Sequence, residues 1–116
     1  MIDKINNFYF LYDANFKYLQ SIKCERLIDE ASCEEDGTYE IQIILSKYEN
    51  VSPKKIMMNF LGGTNLKIGK LDGLFGMLVD IRDISSNGLE NINFEVREME
   101  YDTFSFVCKD FSIEVI

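Results

Sequence analysis

The side chains that could do chemistry here are carboxylates. Asp80 and Asp83 flank Arg82, and Glu95, Glu98, Glu100 and Asp102 gather around Arg97 a short way downstream. A third group, Glu34, Glu35 and Asp36, stands in an acidic stretch of its own. Paired carboxylates can move protons or hold a divalent cation. On an extended strand, however, positions 80 and 83 point to opposite faces and do not converge. The chain has no histidine, which removes histidine-based triads, metal sites and acid–base catalysis. Cys24 and Cys33 are too far apart for the close pairs of zinc or redox sites. Gly69-Lys70 is followed by Leu71, so no phosphate loop opens there. The residue inventory points away from an enzyme and toward no cofactor and no metal.

What remains is charge. The 116 residues carry 12 bases and 20 acids, a formal net charge of −8. Residues 25–40 hold seven acids against Arg26 alone, and residues 80–116 hold nine acids against three bases. Residues 41–79 lean basic instead. Phosphate binding needs a basic surface, so nucleic acid is excluded as a partner, whereas a basic protein is favoured by complementary fields. The longest apolar run is too short to cross a membrane, and the first residues lack the build of a signal peptide. Three cysteines leave at least one unpaired in a monomer, as expected of reduced thiols in a cytoplasmic protein.

The elements that must position these groups read as strands. Nine Phe, six Tyr and the single proline, Pro53, favour sheet. Leu74 to Ile84 is the longest nearly uninterrupted apolar run and is read as the central strand of an antiparallel sheet. Asn87-Gly88 closes it with a hairpin signal. Centring the turn there places Asp80 opposite Glu95 and Arg82 opposite Asn93; the first is a like-charge pair, unfavourable unless a cation or a basic partner sits there, with a register shift or splaying into water as the alternatives. Alternation marks strands at 38–47, with Tyr39, Ile41, Ile43 and Leu45 inward, and at 89–98, with Ile92, Phe94 and Val96 inward. It also marks 104–108 and 111–115. A strand is expected over 15–25, where a helical stripe competes. Phe8 to Tyr12 reads as a short strand or an extended arm.

Residues 28–37 read as an exposed acidic loop, and residues 50–55 as a loop that Pro53 keeps out of any central strand. Residues 56–61 read as a strand covered on both sides, broken by a turn or bulge at Gly62-Gly63 before a separate short strand at 66–69. The sum is one all-β domain over residues 1–116, mainly antiparallel, a sandwich or curled sheet of about seven to eight strands.

Four passages taken together carry a resemblance: Tyr12-Asp13-Ala14-Asn15-Phe16, Phe60 with Gly63-Thr64-Asn65-Leu66, Asp80-Ile81-Arg82-Asp83-Ile84, and Phe104-Ser105-Phe106-Val107-Cys108. The chain resembles small, acidic, β-rich bacterial proteins, some of them immunity proteins encoded beside polymorphic toxins. That resemblance implies inhibition by binding, with an acidic face docked on a basic toxin, commonly a nuclease. It carries over no individual binding residue. The partner-binding candidates are therefore the acids already named, Glu34, Glu35, Asp36, Asp80, Asp83, Glu95, Glu98, Glu100 and Asp102, with Arg82 among them. Two other readings stay open: a ligand-binding or enzymatic sandwich with a carboxylate–arginine site, and a structural subunit joined through strand edges. A monomer or a weak homodimer through those edges is expected.

Overall fold

The computed structural model describes residues 4–12, 16–26, 38–49, 52–71 and 76–116. In chain order these form helix α1 (Lys4–Leu11), strands β1 (Tyr18–Arg26), β2 (Tyr39–Glu49), β3 (Ser52–Ile68) and β4 (Val79–Asp83), a 3-10 turn at Ser85–Asn87, and strands β5 (Phe94–Glu98), β6 (Phe104–Cys108) and β7 (Asp110–Val115). All seven strands join one antiparallel sheet in the order β1-β2-β3-β6-β5-β4, with β7 also paired to β3. The all-β expectation holds, in its curled-sheet form. Just ahead of β1 and β4, the Met77 N–H donates to the Lys17 carbonyl at 3.0 Å, which draws the two ends of the sheet together. Among the described residues no helix is long and apolar enough to cross a membrane.

β3 is the hub. Its first part pairs with β2 on one side and β7 on the other, and its last part pairs with β6. Seventeen extended residues would span about 56 Å, more than the 50 Å long axis of the molecule, so the strand has to bend. Gly62-Gly63 is where it does. Gly62 sits at φ 68°, and a Cβ there would stand 3.0 Å from Lys109 Cβ. A Cβ on Gly63 would meet Ile41 Cδ1 at 2.8 Å. Both glycines are needed because neighbouring chain occupies the space a side chain would fill. The glycine pair is thus a bulge inside one strand, and the short strand expected at 66–69 is its continuation.

The inward phases of the strands build a single core: Ile41, Ile43, Leu45, Ile56, Met58, Phe60, Val79, Ile81, Val96, Phe104, Phe106 and Phe111 are all buried. Leu61 is instead 47% exposed, so residues 56–61 are covered on one face rather than two. β1 is a strand, which settles the competition with a helix there, and Leu19, Ile22 and Cys24 pack half-buried against the core.

Three other expectations change. The aromatic start is helical: Ile5, Phe8 and Tyr12 fall on one stripe, and Phe8 is fully buried. Its ring stacks on Tyr12 at 4.9 Å, and Tyr12 stacks on Phe16 at 6.5 Å. Burying Phe8 contributes about 1.5–3 kcal/mol. Lys4 ties the helix to β7 through Asp110 and, at 3.1 Å, the Phe111 carbonyl. Second, Pro53 lies within β3, opposite Tyr48. The proline is tolerated because β7 pairs with β3 only from Ile56 onward, so among the described residues β2 alone neighbours the strand at residue 53. Third, the run expected to be central ends in β4, the last strand of the sheet; Leu74 and Phe75 lie outside the described residues. What buries β4 is the helix segment: the Tyr12 hydroxyl accepts the Val79 N–H at 2.9 Å on the edge that no strand of the described residues covers.

The bend gives a stability test. Gly62→Ala forces a side chain into the left-handed region and against Lys109, and is expected to cost about 1–2 kcal/mol in urea denaturation. Gly69→Ala, whose Cβ would meet nothing closer than 3.5 Å, is expected to stay within about 0.5 kcal/mol of wild type. Equal effects would contradict the bulge as the point of constraint.

Candidate protein-docking surface

The alternation of β5 puts Phe94, Val96 and Glu98 on the core side and Glu95 and Arg97 on the outside. Glu98 therefore enters the interior, 1% exposed. An unpaired buried carboxylate would cost several kcal/mol. Glu98 avoids that by collecting four backbone donors: the N–H groups of Leu78 at 3.3 Å, Glu100 at 2.8 Å, Tyr101 at 2.9 Å and Thr103 at 3.0 Å. Burial pushes its carboxyl upward, but those donors outweigh it and hold the group below the ordinary glutamate range. These are charge-assisted bonds, roughly twice as strong as neutral ones.

The consequence is a fixed turn. Residues 99–103 wrap around the carboxylate, and the Met99 N–H donates to the Leu78 carbonyl at 2.7 Å. Asp102 adopts φ 53°, unusual for a residue with a side chain. Its carboxylate stands 4.0 Å from the Arg97 guanidinium. The turn directs Met99 (52% exposed) and Tyr101 (48% exposed) into solvent beside the exposed Glu100 and Asp102. The end of β3 joins it, because the Gly69 N–H donates to the Thr103 carbonyl at 2.6 Å, and exposed Ile68 and Leu71 border that contact.

The other acids take different places. The loop between β4 and β5 is longer than a two-residue hairpin, because Asn87 ends the 3-10 turn and Gly88 caps it in the left-handed region. The register moves accordingly: Asp80 lies opposite Arg97 and Arg82 opposite Glu95. The expected Asp80–Glu95 like-charge pair does not exist, and two opposite-charge pairs stand in its place. Asp80 accepts the Tyr9 hydroxyl at 2.7 Å, which pushes that phenol up to about 12, with burial adding to the effect. Asp83 accepts both the N–H and the hydroxyl of Ser85, at 2.9 and 2.6 Å, and is held below its ordinary range by them.

Asp80 and Asp83 are thus engaged within the fold, and Glu98 is an internal staple rather than a surface acid. Glu34, Glu35 and Asp36 lie outside the described residues. The like-charge pair that sequence reasoning missed is Glu25 opposite Glu40 on β1 and β2, with Lys23 3.8 Å from Glu25.

A shallow depression of about 500 Å³ crosses the outer face between β3, β6 and β5, lined by Lys67, Glu95, Arg97, Ser105 and Val107 among others. It holds one carboxylate and mixed charge, so no pair of acids converges there for acid–base work. Among the described residues no cluster of acids and cysteines is arranged to hold a metal ion. Burial pushes the Cys108 thiol up to about 12, aided by Asp110, and also raises Cys24, which makes neither a ready nucleophile. Sequence reasoning counted Glu100 and Asp102 but missed Met99 and Tyr101. The signal was available: Glu98 falls on the inward phase of Ile92, Phe94 and Val96 immediately before a turn, where a buried acid has backbone donors to collect.

Because Glu98 has a depressed folded-state pKa, its contribution to stability is complete above the unfolded value, about 4.3, and is lost as pH falls through the lower folded value. Wild type is expected to lose stability over that acid window. Glu98→Gln is expected to lose roughly 2–3 kcal/mol at pH 7 and to show a flatter acid limb. Denaturation midpoints measured between pH 2 and 7 check both, and an unchanged acid limb in the variant would contradict the assignment.

The comparisons with known proteins agree with a recognition role. No curated protein and no solved structure matches the chain. One family does, described as Immunity protein PIM8, and the match runs over residues 1–114. A match over nearly the whole length makes this chain a member of the Immunity protein PIM8 family.

Proposed function

We propose that this protein neutralises a protein toxin by direct, non-catalytic binding, and that the turn at residues 99–102 is the centre of the docking surface. The observation that carries this reading is the Glu98 carboxylate, which fixes the turn before any partner arrives. A loop already ordered in its bound form loses little conformational entropy on binding. Tyr101 and Met99 supply the kind of anchor that dominates protein interfaces. Glu100 and Asp102 beside them favour a partner with a basic surface, as a nuclease has, and disfavour nucleic acid itself. Glu34, Glu35 and Asp36 extend the acidic character along the chain and act as a second, steering patch. Family membership supports the immunity role; the partner's chemistry is read from this surface.

The experiment is binding to the gene product encoded next to this protein, tested as the toxin. Tyr101→Ala is expected to weaken affinity by about 2 kcal/mol, roughly thirtyfold, mostly through faster dissociation. Joint reversal of Glu100 and Asp102 to Lys is expected to slow association and to remove much of its salt dependence. Reversal of Glu34, Glu35 and Asp36 together should lower the association rate further. Full affinity in all three variants would remove this surface from the account.

A further inference from the structure

The sheet has one long edge that no strand of the described residues covers, the outer side of β1. Which backbone groups face that edge follows from hydrogen bonds across the sheet. The carbonyls of Lys55 and Leu61 accept from Ile116 and Lys109, so the odd-numbered residues of this part of β3 bond toward β7 and the bend beside it. Even-numbered residues then bond toward β2, and Met58 opposite Ile43 passes the alternation to β2. Ile43 opposite Ile22 passes it on to β1. Beyond the register shift at Leu19/Ser21, Ile22 and Cys24 are left with their N–H and C=O groups on the outer side. The two other edges are short: β7, six residues with β3 as its one strand neighbour among the described residues, is met by Lys4 of α1, and β4, five residues carrying Asp80, Arg82 and Asp83, has its Val79 N–H taken by Tyr12.

We propose that β1 is a self-association edge that pairs antiparallel with β1 of a second copy of this chain, about a two-fold axis through Cys24. Charge selects the register. With Cys24 opposite Cys24 of the second copy, Lys23 lies opposite Glu25 of that copy, and the pair occurs twice by symmetry. Both side chains are exposed, at 67% and 57%, on the face opposite the core. The same contact gives Glu25 a second cation against the repulsion of Glu40, which faces it on β2. Centring the axis on Ile22 would put Lys23 opposite Ser21 and forfeit both pairs. Centring it on Lys23 would oppose two lysines.

The register also makes a distance prediction. Residues directly opposed in a hydrogen-bonded antiparallel pair have Cα atoms about 5.5 Å apart, inside the range a disulfide spans. The two Cys24 thiols can therefore be trapped by a diazene oxidant, which takes two electrons and two protons as the sulfurs join. This inference stands apart from the toxin-docking reading and needs no partner protein.

Sedimentation velocity on the full chain is expected to show a concentration-dependent shift from 13.5 kDa toward twice that mass. Lys23→Glu and Glu25→Lys are each expected to weaken dimerisation about tenfold or more, and the double variant to restore it. In a Cys33→Ser background, diamide is expected to yield a covalent dimer that disappears when Cys24→Ser is added. That arm holds even if a charge variant folds poorly. A wild type that stays at 13.5 kDa at its highest soluble concentration, or trapping that persists without Cys24, would overturn the proposal.

Discussion

The constraint on which the rest of the structure depends is the bend in β3. This strand touches β2, β6 and β7, so its course decides where each of them lies. A straight strand of seventeen residues would overrun the molecule, and the sheet would offer a flat face with nothing to close it. At Gly62-Gly63 the backbone approaches Lys109 and Ile41 so closely that no other residue fits without a shift. The turn in direction hands β3 from β7 to β6 and curls the sheet around Phe60, Phe106 and Phe111. Phe60 meets Phe106 edge-on at 4.9 Å at the centre of that curl.

Curling brings β4 around toward the start of β1, and helix α1 covers what the strands leave bare. Tyr12 closes the β4 edge with its hydroxyl, and Tyr9 reaches Asp80 from the same helix. The last link is the carboxylate of Glu98, which binds the lead-in to β4 at Leu78 to the turn after β5. A buried charge is a costly way to hold a turn, and hydrophobic packing would hold a core as well. Its distinct effect is to fix backbone outside the sheet while leaving Met99, Glu100, Tyr101 and Asp102 directed at solvent. The fold ends in a fixed presentation of these four side chains, the feature on which the proposed docking role rests.

Where one face of a strand is wet and the other buried, the sequence was readable. Tyr39 to Leu45, Phe94 to Val96 and Phe104 to Cys108 alternate cleanly, and each is a strand with that face inward, although the strand expected over 89–98 begins only at Phe94 because the residues before it belong to the turn. Three features were harder, each for a physical reason. The aromatics of residues 8–12 have high strand propensity, and this masked the helical spacing of Ile5, Phe8 and Tyr12. The apolar run through residue 84 reported burial correctly but not position, because an edge strand covered by a helix is as dry as a central one. The Asn87-Gly88 dipeptide marked a left-handed residue correctly, but Asp83 bonded to Ser85 starts a 3-10 turn ahead of it. That lengthened the loop and moved the register by two. Of the candidate site, the acidic stretch from Glu95 to Asp102 was found from sequence. The division of labour within it, Glu98 inside and its neighbours outside, was not, since it depends on which phase of β5 faces the core.

In the proposed docking role, the turn at residues 99–102 is built before any partner binds, by the Glu98 carboxylate. Amide hydrogen exchange in the free protein tests this directly at the N–H groups of Leu78, Glu100, Tyr101 and Thr103. Slow exchange is expected at all four in wild type, with a joint loss of protection in the Glu98→Gln variant under conditions where the strands stay protected. Exchange in free wild type as fast as that of exposed loop amides would contradict it.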